Sequence, residues 1–456
     1  MPRTLSAAAQ EAGGELVGLD AVYSSVSIDS RKLDSGDLFV AIAGETFDGN
    51  DFVADAHSKG AAGAIVSRLT SVPLPQIHVT ETRQAFGRIA KAWRKNFSIP
   101  VVAVTGSNGK TTVKELIANI LSSSQRVCVT HGNLNNELGV PLTLLKLNKK
   151  HEVLVIELGA NCAGEIDYLS KLVKPTVGVI TNANAAHLEG FKSIAGVAEA
   201  KGELLDNIVC SGTAVVNADD EHCAEWCNRS NASQILTFGI KARADCTIIG
   251  EIKSEPSGSH FTLCLPDASQ VDVLLPLLGM HNVLNALAAS TVAYTLGVSK
   301  EEIKRGLSQA SAVNGRLNIL PSRSGAKIID DTYNANPDSV RAALNCLKDL
   351  SGRRVFVLGD MAELGETSID LHQEIGTYAK DCCDFFFTVG DLSLHAAKAF
   401  GHKSVSFSNI TSLQQALEPL LTENTVLLLK GSRSMGLERV VELIIRGQKD
   451  RECSLC

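Results

Sequence analysis

Between Val101 and Asp220 the chain alternates short apolar runs with stretches of helical periodicity. The runs VVAVTG, EVLVIELG, VGVITNAN and TAVVNADD are rich in Val and Ile and lack polar alternation, as strands buried on both faces of a parallel sheet do. Residues 111–123 and 194–208 are the predicted helices between them, which gives repeated βα units. Residues 240–275 alternate apolar and polar positions (DCTIIGEI, HFTLCL, VDVLLPL), so antiparallel strands are predicted to end the central sheet. A second βα series follows Asn314, with KIIDDTYN, RVFVLGD, FFFTVGD, SVSFS and TVLLLKGS as strands and 339–348, 372–379, 412–420 and 437–445 as helices. Before Thr80 the pattern is less regular, with short strands expected around 27–29, 38–42 and 64–66. A helix over 81–97 leads into the central unit, and 313–317 is the expected hinge.

The fold class that follows is α/β in three domains. A small α/β domain spans 1–80, a P-loop ATPase-like parallel sheet 81–313, and a Rossmann-like domain 314–456. The length of 456 residues agrees, at about 150 residues per domain. Hydrophobic residues at 45% and charged residues at 20% exclude disorder and coiled coil. Apolar runs such as 153–156 and 426–429 are too short to span a membrane, and the first residues lack the apolar core of a signal peptide. Twelve Cys without a framework pattern point to a reducing cytoplasm. With 43 basic against 50 acidic residues the net charge is −7, which argues against a nonspecific nucleic-acid or anionic-membrane surface. A polyanionic ligand must therefore bind at local sites.

One such site stands out in VVAVTGSNGKTTVKEL. A buried strand enters a Gly-rich turn and leaves it as a helix, so backbone N–H groups and the helix N-terminus can surround phosphate oxygens. The common GxxxxGK(S/T) pattern would put its first Gly at Val104. Here the shorter G-x-x-G-K-T runs from Gly106 to Thr111. Gly106, Ser107, Asn108, Gly109, Lys110, Thr111 and Thr112 are the expected ATP-binding residues, with Lys110 reaching the β- and γ-phosphates and Thr111 holding Mg²⁺. Phosphoryl transfer also needs metal-holding groups at carboxyl ends of neighbouring strands, where Glu157 and His187 fall. Each alone is equally an ordinary helix or loop cap; beside Lys110 and Thr111 the metal reading gains. Lys201, in AEAKGELLD, reads by itself as a solvated helical lysine.

Together the motifs resemble the Mur ligase family. The resemblance rests on IDSRKLDSGDLFVAIAGETFDGNDFV, TGSNGKTTVKE, GNLNNELGVPLTLL, ELGANCAGEI, TNANAAHLEGF, AKGEL, GMHNVLNALAA, DDTYNANPDS, LGDMAELG and KGSRSMGLERV, ten stretches in order along the chain. It implies an N-terminal UDP-substrate domain, a central ATPase domain and a Rossmann-like C-terminal domain. It implies an ATP-dependent ligase that forms an acyl phosphate and then an amide, with two Mg²⁺ ions. On that resemblance Lys110, His187, Lys201 and Arg316 are catalytic. Thr111, Glu157, His187 and a carbamylated Lys201 hold metal, and Asn282, Arg316 and Asp331 contact ATP. Ser30, Arg31, Phe47, Asp48 and Gly49 fall in UDP-binding stretches, Asn135 and Asn136 where the sugar-peptide is met, and Asn334, Asn336 and Ser339 where the second substrate is received. DDTYNANPDS and LGDMAELG resemble the member that adds D-alanyl-D-alanine to UDP-N-acetylmuramoyl-tripeptide, and no DNPR-type stretch is present. A member adding a single amino acid, and an ATP-binding module without ligation, are the competing readings. A monomer that closes its domains around its substrates is expected.

Other signals carry less. Cys453-Ser-Leu-Cys456 and the group His222, Cys223 and Cys227 lack the four ligands that zinc sites normally need. Cys382-Cys383 is expected to begin a strand. Lys430 and Arg433 read as surface residues. The GxGxxG fingerprint is absent, so the last domain is not read as NAD-binding.

Overall fold

The computed structural model describes residues 3–44, 46–255 and 257–446; the Cys453–Cys456 pair lies outside them. Among the described residues there are three larger α/β sheets, a three-stranded antiparallel sheet and a two-stranded pairing. The architecture is that of three α/β domains.

The central sheet carries the site. Its order is Gln234–Phe238, Thr213–Asn217, Val177–Ile180, Val101–Thr105, Val153–Glu157 and Val127–Val129, all parallel. Val101–Thr105 is buried along its whole length and sits where the order reverses, so the chain diverges on either side of its carboxyl end. That divergence opens the crevice in which open parallel sheets bind ligands. Helices Glu165–Val173 and Ile194–Asp206 cover one face with an apolar core of Ile166, Leu169, Leu204 and Leu205. Helices Lys110–Leu121 and Met280–Thr295 cover the other. The second of these (MHNVLNALAASTVAYT) has almost no polar face and is accordingly buried nearly throughout.

The strands read over 240–275 do form, but they do not finish this sheet. Thr247–Glu255, Gly258–Cys264 and Gln270–Leu275 make their own three-stranded sheet, tied to the central one through the isolated bridge Phe238–Cys246. Their alternation explains the difference. One apolar face, with Phe261, Leu263, Val273 and Leu275, lies flat on the central core, whereas edge-on extension would leave it in water.

In the C-terminal sheet the order is Asn318–Pro321, Lys327–Asp331, Thr425–Lys430, Arg353–Gly359, Phe385–Val389 and Ser404–Phe407, with the first strand antiparallel and the rest parallel. Cys382 and Cys383 do not begin its strand. They are buried in the turn after helix Ser368–Ala379, their thiols donating to the Tyr378 and Ala379 carbonyls, and the strand starts at Phe385. The N-terminal sheet is five-stranded around Leu38–Val40 and Gly63–Val66. Helix Thr82–Arg94 joins it to the centre by giving Ala85, Phe86 and Ile89 to the N-terminal core and Ala90 to the central one. The described cysteines are all free, and among the described residues no helix is long and apolar enough to cross a membrane.

Candidate active site

The turn after Val101–Thr105 works only with glycine at two points. Gly106 has φ 145° and Gly109 φ 82°. A Cβ on Gly106 would fall 1.9 Å from Thr181 Oγ1, and one on Gly109 2.4 Å from Asn285 Oδ1. The neighbouring strand end, Thr181-Asn-Ala-Asn184, braces this loop. Ser107 N–H donates to the Asn182 carbonyl and Asn108 N–H to Asn182 Oδ1, both at 2.9 Å, while Thr181 Oγ1 donates to the Asn108 carbonyl at 2.6 Å. The sequence signal for this brace was the stretch TNAN itself, which reads otherwise as a plain strand end. Lys110 Nζ folds back to donate to the Gly106 and Ser107 carbonyls at 2.6 and 3.1 Å. Burial pulls its pKa down to about 8, against the pull of Glu157 and with Arg316 adding to the fall.

Glu157 ends its strand buried, at 2% exposure. Its Oε1 accepts from Asn135 Nδ2 at 2.7 Å, and its Oε2 has no partner. A buried carboxylate oxygen without a donor is expensive and calls for a cation. Behind it, Thr130 Oγ1 accepts the Glu157 N–H at 3.0 Å and the Thr130 carbonyl accepts Lys114 Nζ at 2.8 Å. Lys114 is fully buried, a support that spacing did not reveal.

Lys201 is not a solvated helical lysine. It is 2% exposed, lies 4.9 Å from the Phe191 ring centroid and makes one long hydrogen bond, 3.4 Å to the Ala160 carbonyl. Burial first, and then Lys110, bring its pKa down to about 7, although Glu165 and Glu203 pull the other way. His187, with left-handed φ 53°, lies near enough to Lys110 and Lys201 to feel their charge. Its Nδ1 meets the Glu363 carboxylate, a contact that becomes an ion pair when the ring is protonated. Burial holds the imidazole pKa below its ordinary value, against Glu363.

The C-terminal domain closes over this corner. Arg316 lies over the Tyr333 ring at 4.3 Å and reaches Thr111 Oγ1 with Nη2 at 3.4 Å. Asn336 Nδ2 donates to Asn108 Oδ1 at 2.8 Å. Asp331 is buried, its Oδ2 paired with Lys430 Nζ at 2.6 Å and its Oδ1 accepting the Leu317 N–H at 3.2 Å. Lys430 is therefore not a surface residue; at 2% exposure it also donates to the Asn334 carbonyl at 2.8 Å. Its signal was the one already used for Glu157, a charge at the end of an apolar strand. Arg433, by contrast, is exposed as expected.

One cavity of about 770 Å³ unites these groups. Ser107, Asn108, Gly109, Lys110, Thr112, Asn135, Asn136, Glu157, His187, Asn282, Arg316, Asp331, Asn334, Asn336 and Ser339 line it, while Gly106, Thr111 and Lys201 are outside its lining. Asn282 Oδ1 accepts from Asn285 at 3.1 Å and its Nδ2 donates to the Leu278 carbonyl at 2.8 Å. Asn336 and Ser339 form a reciprocal capping box for helix Pro337–Lys348. His281, which sequence reasoning passed over, also lines the cavity, and burial lowers its pKa to about 4. The N-terminal candidates stand apart from this cavity: Arg31 pairs with Asp29 at 2.9 Å, Asp48 accepts the Asn50 N–H at 2.9 Å, and Phe47 is 69% exposed.

Family models match the chain in three consecutive stretches: the Mur ligase family catalytic domain over 22–100, the Mur ligase middle domain over 104–293, and the Mur ligase glutamate ligase domain over 315–433. The chain belongs to the Mur ligase family. Among its relatives in that family, the UDP-N-acetylmuramoyl-tripeptide--D-alanyl-D-alanine ligase of Escherichia coli is 42% identical over 97% of this chain and 98% of its own length. The Bacillus subtilis protein of the same name is 36% identical over 93% of each. A crystal structure of MurF from Acinetobacter baumannii superposes with TM-score 0.92 at 37% identity, covering 98% of this chain and 99% of that one. MurF ligase from Thermotoga maritima in complex with ADP gives 0.85 at 30% identity over 94% and 98%.

Proposed function

We propose that this Mur ligase joins D-alanyl-D-alanine to UDP-N-acetylmuramoyl-tripeptide at the expense of ATP, the last cytoplasmic peptide-adding step of peptidoglycan precursor synthesis. Relatives of that name match nearly the whole chain. In this molecule the reading is carried by the closed corner, where the phosphate loop, the orphaned Glu157 oxygen and Arg316 face one cavity.

The chemistry follows from the charges. A carboxylate is a poor acyl electrophile, since its leaving group would be oxide. Attack of the tripeptide's terminal carboxylate oxygen on the γ-phosphorus breaks the bond to ADP and gives an acyl phosphate. The dipeptide amine then attacks the carbonyl carbon, losing a proton, and inorganic phosphate departs from the tetrahedral intermediate. Two anions must first meet, so positive charge has to be concentrated and pre-aimed. Lys110, Arg316 and the N–H groups at the start of helix Lys110–Leu121 supply it from the chain. Asn282 would take the adenine, and Asp331, which keeps lone pairs beyond its two contacts, the ribose.

The donor set fits Mg²⁺: Thr111 and Glu157 would hold one ion, and His187 with a carbamylated Lys201 a second. Bound there, the ions would neutralise phosphate charge during transfer. Lys201 suits the modification, because an amine with a pKa of about 7 is largely neutral above that pH and can add CO₂, releasing a proton. Ser30, Arg31, Phe47, Asp48 and Gly49 are proposed for the UDP end, and Asn135 and Asn136 for the sugar-peptide. Asn334, Asn336 and Ser339 would form the wall facing the dipeptide. A monomer is the proposed working state.

Phosphate release from ATP with UDP-muramoyl-tripeptide, with and without D-alanyl-D-alanine, tests the reading; turnover should require the dipeptide. Turnover with a free diamino acid or glutamate instead would overturn it. For Lys201, ¹³CO₂ should yield a carbamate resonance in the parent that Lys201→Ala lacks, and short carboxylates should partly rescue that variant.

A further inference from the structure

Residues 360–365 of the C-terminal domain reach across to the central domain at the turn that carries His187. Two contacts are made by one residue. The Glu363 carboxylate meets His187 Nδ1, and the Glu363 carbonyl accepts the Glu189 N–H at 3.3 Å. Glu363 and His187 both hold left-handed φ, 62° and 53°, which non-glycine residues keep only where surroundings over-determine it.

The contacts of residues 360–362 over-determine Glu363. His372 is fully buried, donates from Nδ1 to the Ser368 carbonyl at 2.6 Å, and accepts the Met361 N–H at Nε2 at 3.0 Å. Ser432 Oγ accepts the Ala362 N–H at 2.8 Å, and the Asp360 carbonyl accepts the Ser432 N–H at 3.0 Å. The Asp360 carboxylate takes the N–H groups of Asp391 and Ser393 at 3.1 and 2.7 Å. Three successive residues are thus tied to the C-terminal domain immediately before Glu363.

An imidazole has two nitrogens. A carboxylate on one fixes the ring and leaves the other for a ligand. With Glu363 at Nδ1, Nε2 is the nitrogen His187 has free for the cavity it lines. We propose that Glu363 is a positioning residue for His187: as the C-terminal domain closes, its carboxylate takes Nδ1 and orients Nε2 for a divalent cation, so that closure and completion of the cation site are one event. This rests on the reading of His187 as a cation-holding residue.

The test is a double-mutant cycle over Glu363→Ala and His187→Ala in the full chain. It reads kcat, the KM for D-alanyl-D-alanine, the half-saturating Mg²⁺ concentration, and Mn²⁺ affinity by EPR with ADP present. Glu363→Ala is expected to lower kcat and weaken the cation about 10–100-fold, as loss of a partner to a metal-holding histidine does. The melting temperature should stay put, since the Glu363 side chain is 54% exposed. In the His187→Ala background the same substitution should change little further, and Glu363→Asp should restore part of the loss. An additive cycle, or a Glu363→Ala enzyme with unchanged cation affinity, would overturn the proposal. So would a loss confined to the dipeptide KM, which would make Glu363 a substrate contact. If His187→Ala itself leaves cation affinity unchanged, it is the reading of His187 that fails.

Discussion

The central and C-terminal sheets obey the same physics and present opposite rims. Both are largely parallel, both bury apolar strands on two faces, and both end strands in charged residues. At the central rim the charges are left under-partnered. Glu157 keeps a bare oxygen, and the half-buried Lys110 and buried Lys201 amines hydrogen-bond only to carbonyls. At the C-terminal rim Asp331 and Lys430 answer each other at 2.6 Å. One rim stores electrostatic demand for a ligand; the other is self-neutralised and presents a settled surface to it.

The contrast can be broken by substitution. Lys110→Ala should lower kcat/KM by about 10³-fold or more, the scale of losing a key transition-state donor. Its melting temperature should hold or rise, because a half-buried cation bonded only to carbonyls has gone. At the other rim, Asp331→Asn should destabilise by about 3–5 kcal/mol in urea titrations, since Lys430 is left buried and unpaired. Adding Lys430→Met should recover most of that loss. Glu157→Gln keeps the Asn135 bond, so it should shift stability by less than about 1 kcal/mol while removing most activity. Equal destabilisation at both rims would erase the comparison.

Smaller effects sharpen it. His281 titrates at about 4 in the fold against 6.5 ordinarily, a depressed value. As pH falls from 6.5 towards 4 the unfolded chain takes the proton first, so stability drops across that window, by at most about 3 kcal/mol. His281→Asn should flatten urea midpoints measured between pH 7 and 4.5. Gly109→Ala forces a left-handed φ and a contact with Asn285, and should cost about 1–2 kcal/mol and raise the KM for ATP. Asn336→Ala removes a helix cap worth about 1 kcal/mol, together with the bond to Asn108, and a raised KM for ATP would show the closure contact.

Some of this was legible in one dimension. The runs VVAVTG and VLVIELG became buried parallel strands because period and composition alone separate such strands from half-exposed ones. The phosphate loop was legible because its glycines and Lys-Thr are contiguous. Legibility failed where the same signal was discounted, as with Lys430 at the end of TVLLLK. It failed too where the partner is remote: Lys114 meets Thr130, and Glu363 meets His187, only after two βα units or two domains have packed. The alternating strands after Asp245 were legible as strands, but which core their apolar face would cover was not.

By itself the sequence determined the α/β class, the order of three domains and the phosphate-binding turn. Each depends on periodicity or on neighbours in the chain, which sequence order preserves. The tertiary structure decided which charges are satisfied. It put Lys201 out of water with a pKa of about 7, left one Glu157 oxygen bare, paired Asp331 with Lys430, and set Arg316 over Tyr333 within reach of Thr111. Burial and partnership are properties of the surroundings, and for these residues the surroundings come from segments far away in the chain.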